Sequence, residues 1–133
     1  MSAVLVALGG AAGSVLRFWM SGVAQRAVPA TGTLSLFPVG TLIVNVLGCI
    51  VVGALVEIGD RRGPLTPEVR ALLIVGFLGG FTTFSAFANE TVTVWRSGAT
   101  GATLVSFLNV VMSVALCLAG VVLGRGAVAA LVK

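Results

Sequence analysis

The chain has 133 residues, of which 58% are hydrophobic and only 9% charged, with eight Arg/Lys against four Asp/Glu for a net charge of +4. A soluble domain carries roughly 25% charged residues, so a soluble globular enzyme, a disordered chain and a disulfide scaffold are excluded. The expectation is an all-α integral membrane protein forming one domain, residues 1–133. There is no His, which removes His-based metal sites and the commonest general base.

A spanning helix needs about 20 mainly apolar residues, and four segments qualify. The first runs from about residue 3 to residue 23, interrupted only by Arg17. Its start, Met1-Ser2-Ala3-Val4, lacks a positive n-region and a cleavage site, so it reads as a retained helix rather than a signal peptide. Gly9 and Gly13 give it a close-packing face. A turn-prone stretch with Pro29, Gly32 and Pro38 follows. The second span runs from about residue 37 to residue 56 without a charge, with Asn45 alone in its middle. A lone amide in hydrocarbon is costly without a partner. Thr41, Asn45, Gly48 and Val52 share one face, which predicts that this side meets protein. Asn45 either donates to an anion or holds helices together.

A loop is expected over 57–68, holding Asp60, Arg61, Arg62, Gly63, Pro64 and Pro67. The third span, about residues 69–94, contains Gly76-Phe77-Leu78-Gly79-Gly80-Phe81-Thr82-Thr83-Phe84-Ser85-Ala86-Phe87. Each Gly costs a helix interior about 1 kcal/mol against Ala. A broken membrane helix is tolerated only where protein buries it or it lines a wet cavity. There, free carbonyls can hold a cation and half-helix N-termini can attract an anion; alternatively, Gly79-Gly80 serves close packing. Phe84 and Phe87 can face the same way on one turn, and their positive ring edges suit a small anion, although Phe in a membrane helix also packs or faces lipid.

The fourth span, about residues 99–124, is uncharged and carries Ser106, Asn109, Ser113, Cys117, Gly120 and Gly124 at intervals of three or four, a single helical stripe. Such a stripe suits helix packing or a hydrated track. Cys49 and Cys117 lie in apolar runs without CxxC spacing and read as buried small residues. Arg17 and Glu90 are the only charges expected to enter the membrane, and as both lie toward the ends of their spans they are expected to snorkel toward water.

Four spans place both termini and the 57–68 loop on one side, with Arg61, Arg62, Arg70, Arg125 and Lys133. Arg26 and Arg96 lie opposite, which favours cytoplasmic termini with a bias small enough to permit insertion both ways. The basic residues form no stripe, so they orient helices and no nucleic-acid partner is expected.

Taken together, Gly9-Gly10-Ala11-Ala12-Gly13-Ser14-Val15-Leu16-Arg17-Phe18, Phe37-Pro38-Val39-Gly40-Thr41-Leu42-Ile43-Val44-Asn45-Val46-Leu47-Gly48 and the Gly76–Phe87 run with Glu90 beyond it resemble the CrcB/Fluc fluoride channels. The resemblance covers essentially the whole chain, in order. It implies four transmembrane helices with the third broken mid-membrane, paired as an antiparallel dual-topology dimer in the bacterial cytoplasmic membrane. It implies two fluoride pores at the dimer interface and a central Na⁺ held by the Gly79 and Thr82 carbonyls. Asn45, Phe84, Phe87, Thr83, Ser85, Asn109 and Ser113 would line the pore, Arg17 the vestibule and Glu90 the pore exit. Asn109 departs from the pattern, since many relatives carry Tyr there. The partner is an identical inverted chain, or a paralogous one as in some relatives.

Two other readings differ in class. A small multidrug-type proton-coupled exporter needs a carboxylate in its first span, where only Arg17 is charged. A non-transporting membrane assembly subunit accounts for the glycine-rich faces but has no need of Asn45 or the Thr-Thr-Phe-Ser run. Without titratable groups deep in any span, passive flow is expected over coupled transport, and no enzymatic activity is expected.

Overall fold

A computed structural model describes residues 2–29 and 31–132; Met1 and Lys133, both used in the reading above, lie outside the described residues. Among the described residues the chain is all-helical. Four helical stretches, Ser2–Arg26, Val39–Arg62, Pro67–Arg96 and Ala102–Leu131, are long and apolar enough to cross a membrane.

Helix α1 is Ser2–Arg26, and a short 3₁₀ turn, Thr33–Leu36, leads into α2, Val39–Arg62. Pro38 precedes α2 and offers no side-chain cap. Gln25 fills that role from the end of α1: its Nε2 donates to the Phe37 carbonyl at 3.2 Å, and its Oε1 accepts from the Gly40 N–H at 3.1 Å. One of the amides left unpaired at a helix start is thereby satisfied.

The third stretch opens with α3, Pro67–Val69, capped by the Thr66 hydroxyl, and continues as a π-helix over Arg70–Leu78 into α4, Gly79–Phe81. Helix α5, Phe84–Arg96, follows, and α6, Ala102–Leu131, begins after Gly101 at φ 83°.

Two helices outrun their apolar runs. Helix α2 continues to Arg62 and so takes the first half of the expected 57–68 loop, and α6 continues to Leu131. Charged side chains hold these extensions together beyond the apolar layer. Arg61 Nε donates to Glu57 at 2.7 Å one turn away, and Arg125 bridges Asp60 at 2.7 Å and Glu57 at 3.1 Å. Arg61 also donates to the Val132 carbonyl at 2.9 Å.

Glycine sets the closest helix contacts. In the α2–α6 seam, a Cβ at Gly53 would strike the Val121 carbonyl and one at Gly124 the Ile50 carbonyl. Between α1 and the third stretch, a Cβ at Gly9 would strike the Leu72 carbonyl and one at Gly13 the Phe77 carbonyl. Without lipid-water contrast to drive them together, membrane helices gain from such close van der Waals approach. Of the fourth-span stripe, Ser106, Asn109, Ser113, Gly120 and Gly124 are buried, so that stripe is the packing face.

Candidate functional site

The helical run stops at Phe81 and restarts at Phe84, with Thr82 (φ −86°, ψ 158°) and Thr83 (φ −152°, ψ 119°) in extended conformation between. Both threonines close helix ends. The Thr82 N–H and Oγ1–H return to the Leu78 carbonyl, each at 2.9 Å. The Thr83 hydroxyl accepts from the Ala86 N–H at 3.1 Å and so N-caps α5.

Asn45 pins this break. Its Nδ2 donates to the Thr83 carbonyl at 3.0 Å, and its Oδ1 accepts from the Thr83 N–H at 2.8 Å. The side-chain amide thus pairs with one peptide as a neighbouring strand would. Of the two roles open to Asn45 from sequence, this is the helix-joining one.

The diversion has a consequence for two carbonyls. In a continuous helix the Thr83 N–H would serve Gly79 C=O and the Ala86 N–H would serve Thr82 C=O. Both donors point elsewhere, so both oxygens are released from helical pairing. The two glycines also divide their work. A Cβ at Gly80 would crowd the Gly10 backbone at 2.5 Å, whereas one at Gly79 would meet only the Ile74 carbonyl at 3.9 Å, and Gly79 lines a cavity. Packing and a break thus coexist in the Gly79-Gly80 pair.

Arg17 does not follow the expected outward course. Its Nε donates to the Gly80 carbonyl at 3.0 Å, joined by the Ser14 hydroxyl at 3.5 Å. A carbonyl left unpaired at a helix end in an apolar medium is costly, and Arg17 lies close enough on α1 to satisfy it. Glu90 also turns inward. Its Oε1 accepts from the Thr41 hydroxyl at 2.9 Å, and its Oε2 is buried with no partner among the described residues. Arg17 and Glu90 share a cavity of about 260 Å³ with Ser14, Ser21, Thr41 and Thr83, but among the described residues they form no ion pair.

A larger cavity of about 400 Å³ lies on the other side of the break and is lined by Asn45, Gly79, Thr82, Thr83, Phe84, Phe87 and Ser113, with Cys49 and Cys117 in its wall. The Phe84 and Phe87 rings sit 5.3 Å apart, tilted by 51°, within the usual range for an aromatic pair. Phe87 is buried and Phe84 is 78% exposed.

Behind this cavity runs a hydrogen-bonded line between α5 and α6. The Ser113 hydroxyl donates to Asn109 Oδ1 at 3.3 Å, and Asn109 Nδ2 donates to Thr91 Oγ1 at 2.7 Å. Thr91 Oγ1 donates to the Phe87 carbonyl at 2.7 Å, and the Ser106 hydroxyl to the Thr91 carbonyl at 3.1 Å. Thr91 is absent from the sequence expectations, although it continues the spacing of Phe84 and Phe87 and faces the α6 stripe. Asn109 is buried within this line rather than in the cavity wall. Ser85 is exposed and 3.4 Å from the Thr83 hydroxyl.

Chemically, the larger cavity offers ring edges, hydroxyls and released carbonyls without a fixed charge. The smaller one adds a guanidinium and a carboxylate at the far face of Thr83.

Residues 4–125 match the family model described as "CrcB-like protein, Camphor Resistance (CrcB)". The chain is 44% identical over 131 residues to a Rhizobium johnstonii protein named "Fluoride-specific ion channel FluC", covering 98% of each chain. It is 43% identical over 122 residues to the Paracoccus denitrificans protein of that name, covering 91% of this chain and 92% of the other. It is 42% identical over 127 residues to the Rhodospirillum rubrum one, covering 94% and 92%.

Proposed function

The chain belongs to the CrcB family, and from that premise we propose that it is a passive, fluoride-selective channel that exports fluoride across the membrane. As a member of this family it is a multi-pass protein of the bacterial cytoplasmic membrane, and it is not an enzyme.

The observation that carries the reading is the cavity beside the Thr82–Thr83 break, where the Phe84–Phe87 pair meets Asn45, Thr83 and Ser113 with no fixed charge in the wall. Fluoride is small and strongly hydrated, so a path must replace its water with many weak donors and still let it leave. Ring edges and hydroxyls meet that requirement. Thr83 and Ser85 would pass the ion along the break, Asn109 would orient the Ser113 hydroxyl, Arg17 would draw anions into a vestibule, and Glu90 would border the pore exit. With no titratable group in the larger cavity besides thiols, flow would run down its gradient uncoupled.

The exposed Phe84 leaves the larger cavity open on one side of a single chain. An identical chain in inverted orientation, or a paralogous one, would close it into two pores, each protomer being one four-helix unit. The released Gly79 and Thr82 carbonyls fit a hard cation, since such ions take oxygen ligands. A Na⁺ held there would raise the local positive potential at the interface. The holding and the shaping are done by this chain: Asn45 keeps Thr83 extended, and the two oxygens stay free.

Fluoride efflux from liposomes containing the purified protein tests the reading. Rapid fluoride release with chloride retained is the expected result; no fluoride release, or equal chloride release, overturns it.

A further inference from the structure

Cys49 on α2 and Cys117 on α6 are both free and half-buried. They lie on the two packed helices of the α2–α6 seam, and both line the wall of the 400 Å³ cavity. The seam here is tight: a Cβ added at Gly120 would sit 3.4 Å from Cys49 Cβ. Cys117 lies one turn beyond Ser113, and Cys49 follows Gly48, whose added Cβ would strike the Thr82 side chain. The pair is therefore held by packed backbone and opens toward the break.

No group of three or more Cys, His, Asp or Glu side chains is available among the described residues. Two thiols alone cannot complete the tetrahedral set that Zn²⁺ takes, and sulfur is a poor ligand for hard cations, which take oxygen. They suit a soft cation content with two sulfur ligands. Charge then selects its valence. Each thiol releases one proton to water as its S–metal bond forms, so a divalent ion leaves a neutral bis-thiolate, whereas a monovalent ion leaves a buried negative charge at considerable cost. No electron is transferred.

We propose that Cys49 and Cys117 form a two-thiol site for a soft divalent cation of the mercuric type, and that its occupation stops permeation through the adjoining cavity. The second clause rests on the channel reading above; the first does not.

The test adds one equivalent of mercuric acetate to the purified protein in detergent and in liposomes. Both thiols should disappear from a thiol titration with one mercury retained per chain, and fluoride efflux should fall by about tenfold or more and recover with excess dithiol. Cys49→Ser and, separately, Cys117→Ser should each hold mercury through one thiol only, so that an excess of a monothiol strips it, whereas the wild-type pair should resist the same monothiol; Cys117→Ala serves should the serine variant misfold. Thiols that stay reactive, mercury that a monothiol strips from the wild-type protein as readily as from the single variants, or retained mercury with efflux unchanged would overturn the proposal. If the untreated protein carries no fluoride, the channel reading fails, while the thiol and mercury counts still decide the site.

Discussion

The two halves of the third span are held by opposite means. The half before the break, from α3 through α4, lies against α1 through glycines whose hydrogens touch backbone: Gly9 at Leu72, Gly13 at Phe77, Gly76 at Val6, Gly80 at Gly10. The half after the break, α5, is held by side-chain hydrogen bonds: Asn45 and Thr83 at its start, Thr41 to Glu90, then Asn109 and Ser106 to Thr91. The first half is limited by volume and the second by polarity. A scaffold that must not move is built from close backbone contact. A region that must present donors is built from partners that can be satisfied one at a time.

The widest separation should come from adding volume. Gly13→Val puts a side chain into the Phe77 carbonyl and the Phe81 amide nitrogen, neither of which can yield. A cost above about 4 kcal/mol is expected, which removes folded protein from detergent extracts. Gly10→Ala, whose added Cβ meets only the Gly76 carbonyl at 3.9 Å, should keep wild-type yield. Equal yields for the two would break the volume argument.

Polarity comes next. Asn45→Leu fills similar space but leaves the Thr83 N–H and C=O unpaired, at about 1–3 kcal/mol each. Thermal midpoint and fluoride efflux should both fall, because Thr83 is no longer held extended. Asn45→Asp keeps the acceptor for the Thr83 N–H but sets a carboxylate oxygen against the Thr83 carbonyl, so it should cut efflux while the assembled protein persists. Thr91→Val is smaller. It strips the Asn109 Nδ2 of its acceptor inside the protein and should cost about 1–3 kcal/mol, with Thr91→Ser restoring the midpoint. A Thr91→Val protein as stable as wild type would show that the line behind the cavity bears no load.

How much of this was legible depends on how local each cause is. The spans were readable because apolarity and length act residue by residue. The α6 stripe was readable because intervals of three and four place Ser106, Asn109, Ser113, Gly120 and Gly124 on one face. The end of α2 is not legible locally, because Glu57 and Arg61 look like loop charges until their one-turn pairing and the Arg125 bridge are seen. The inward turn of Arg17 depends on a carbonyl 63 residues away. Asn45 was conspicuous as a lone amide, yet its partner is a peptide 38 residues on. Thr91 gave no signal alone, since a threonine in a membrane helix can also bond its own backbone, as it does to Phe87. Composition identifies polar groups in the membrane; only the fold tells which of them are already spoken for.

The two phenylalanines carry the comparison into a single turn, and they give the smallest effect on stability with a distinct effect on function. Phe87 is buried at 8% exposure, whereas Phe84 is 78% exposed in the single chain. Phe87→Ile removes ring contacts from a packed site and should cost about 1–3 kcal/mol. Phe84→Ile should change the folding free energy of the single chain by no more than about 0.5 kcal/mol, as surface changes do. If ring edges take the place of water around fluoride, Phe84→Ile must still lower efflux, since an aliphatic side chain has no positive edge to offer. Phe84→Tyr, which keeps an edge, should lose less. A Phe84→Ile channel with full efflux would reduce the ring pair to packing and leave Thr83 and Ser113 as the donors that matter.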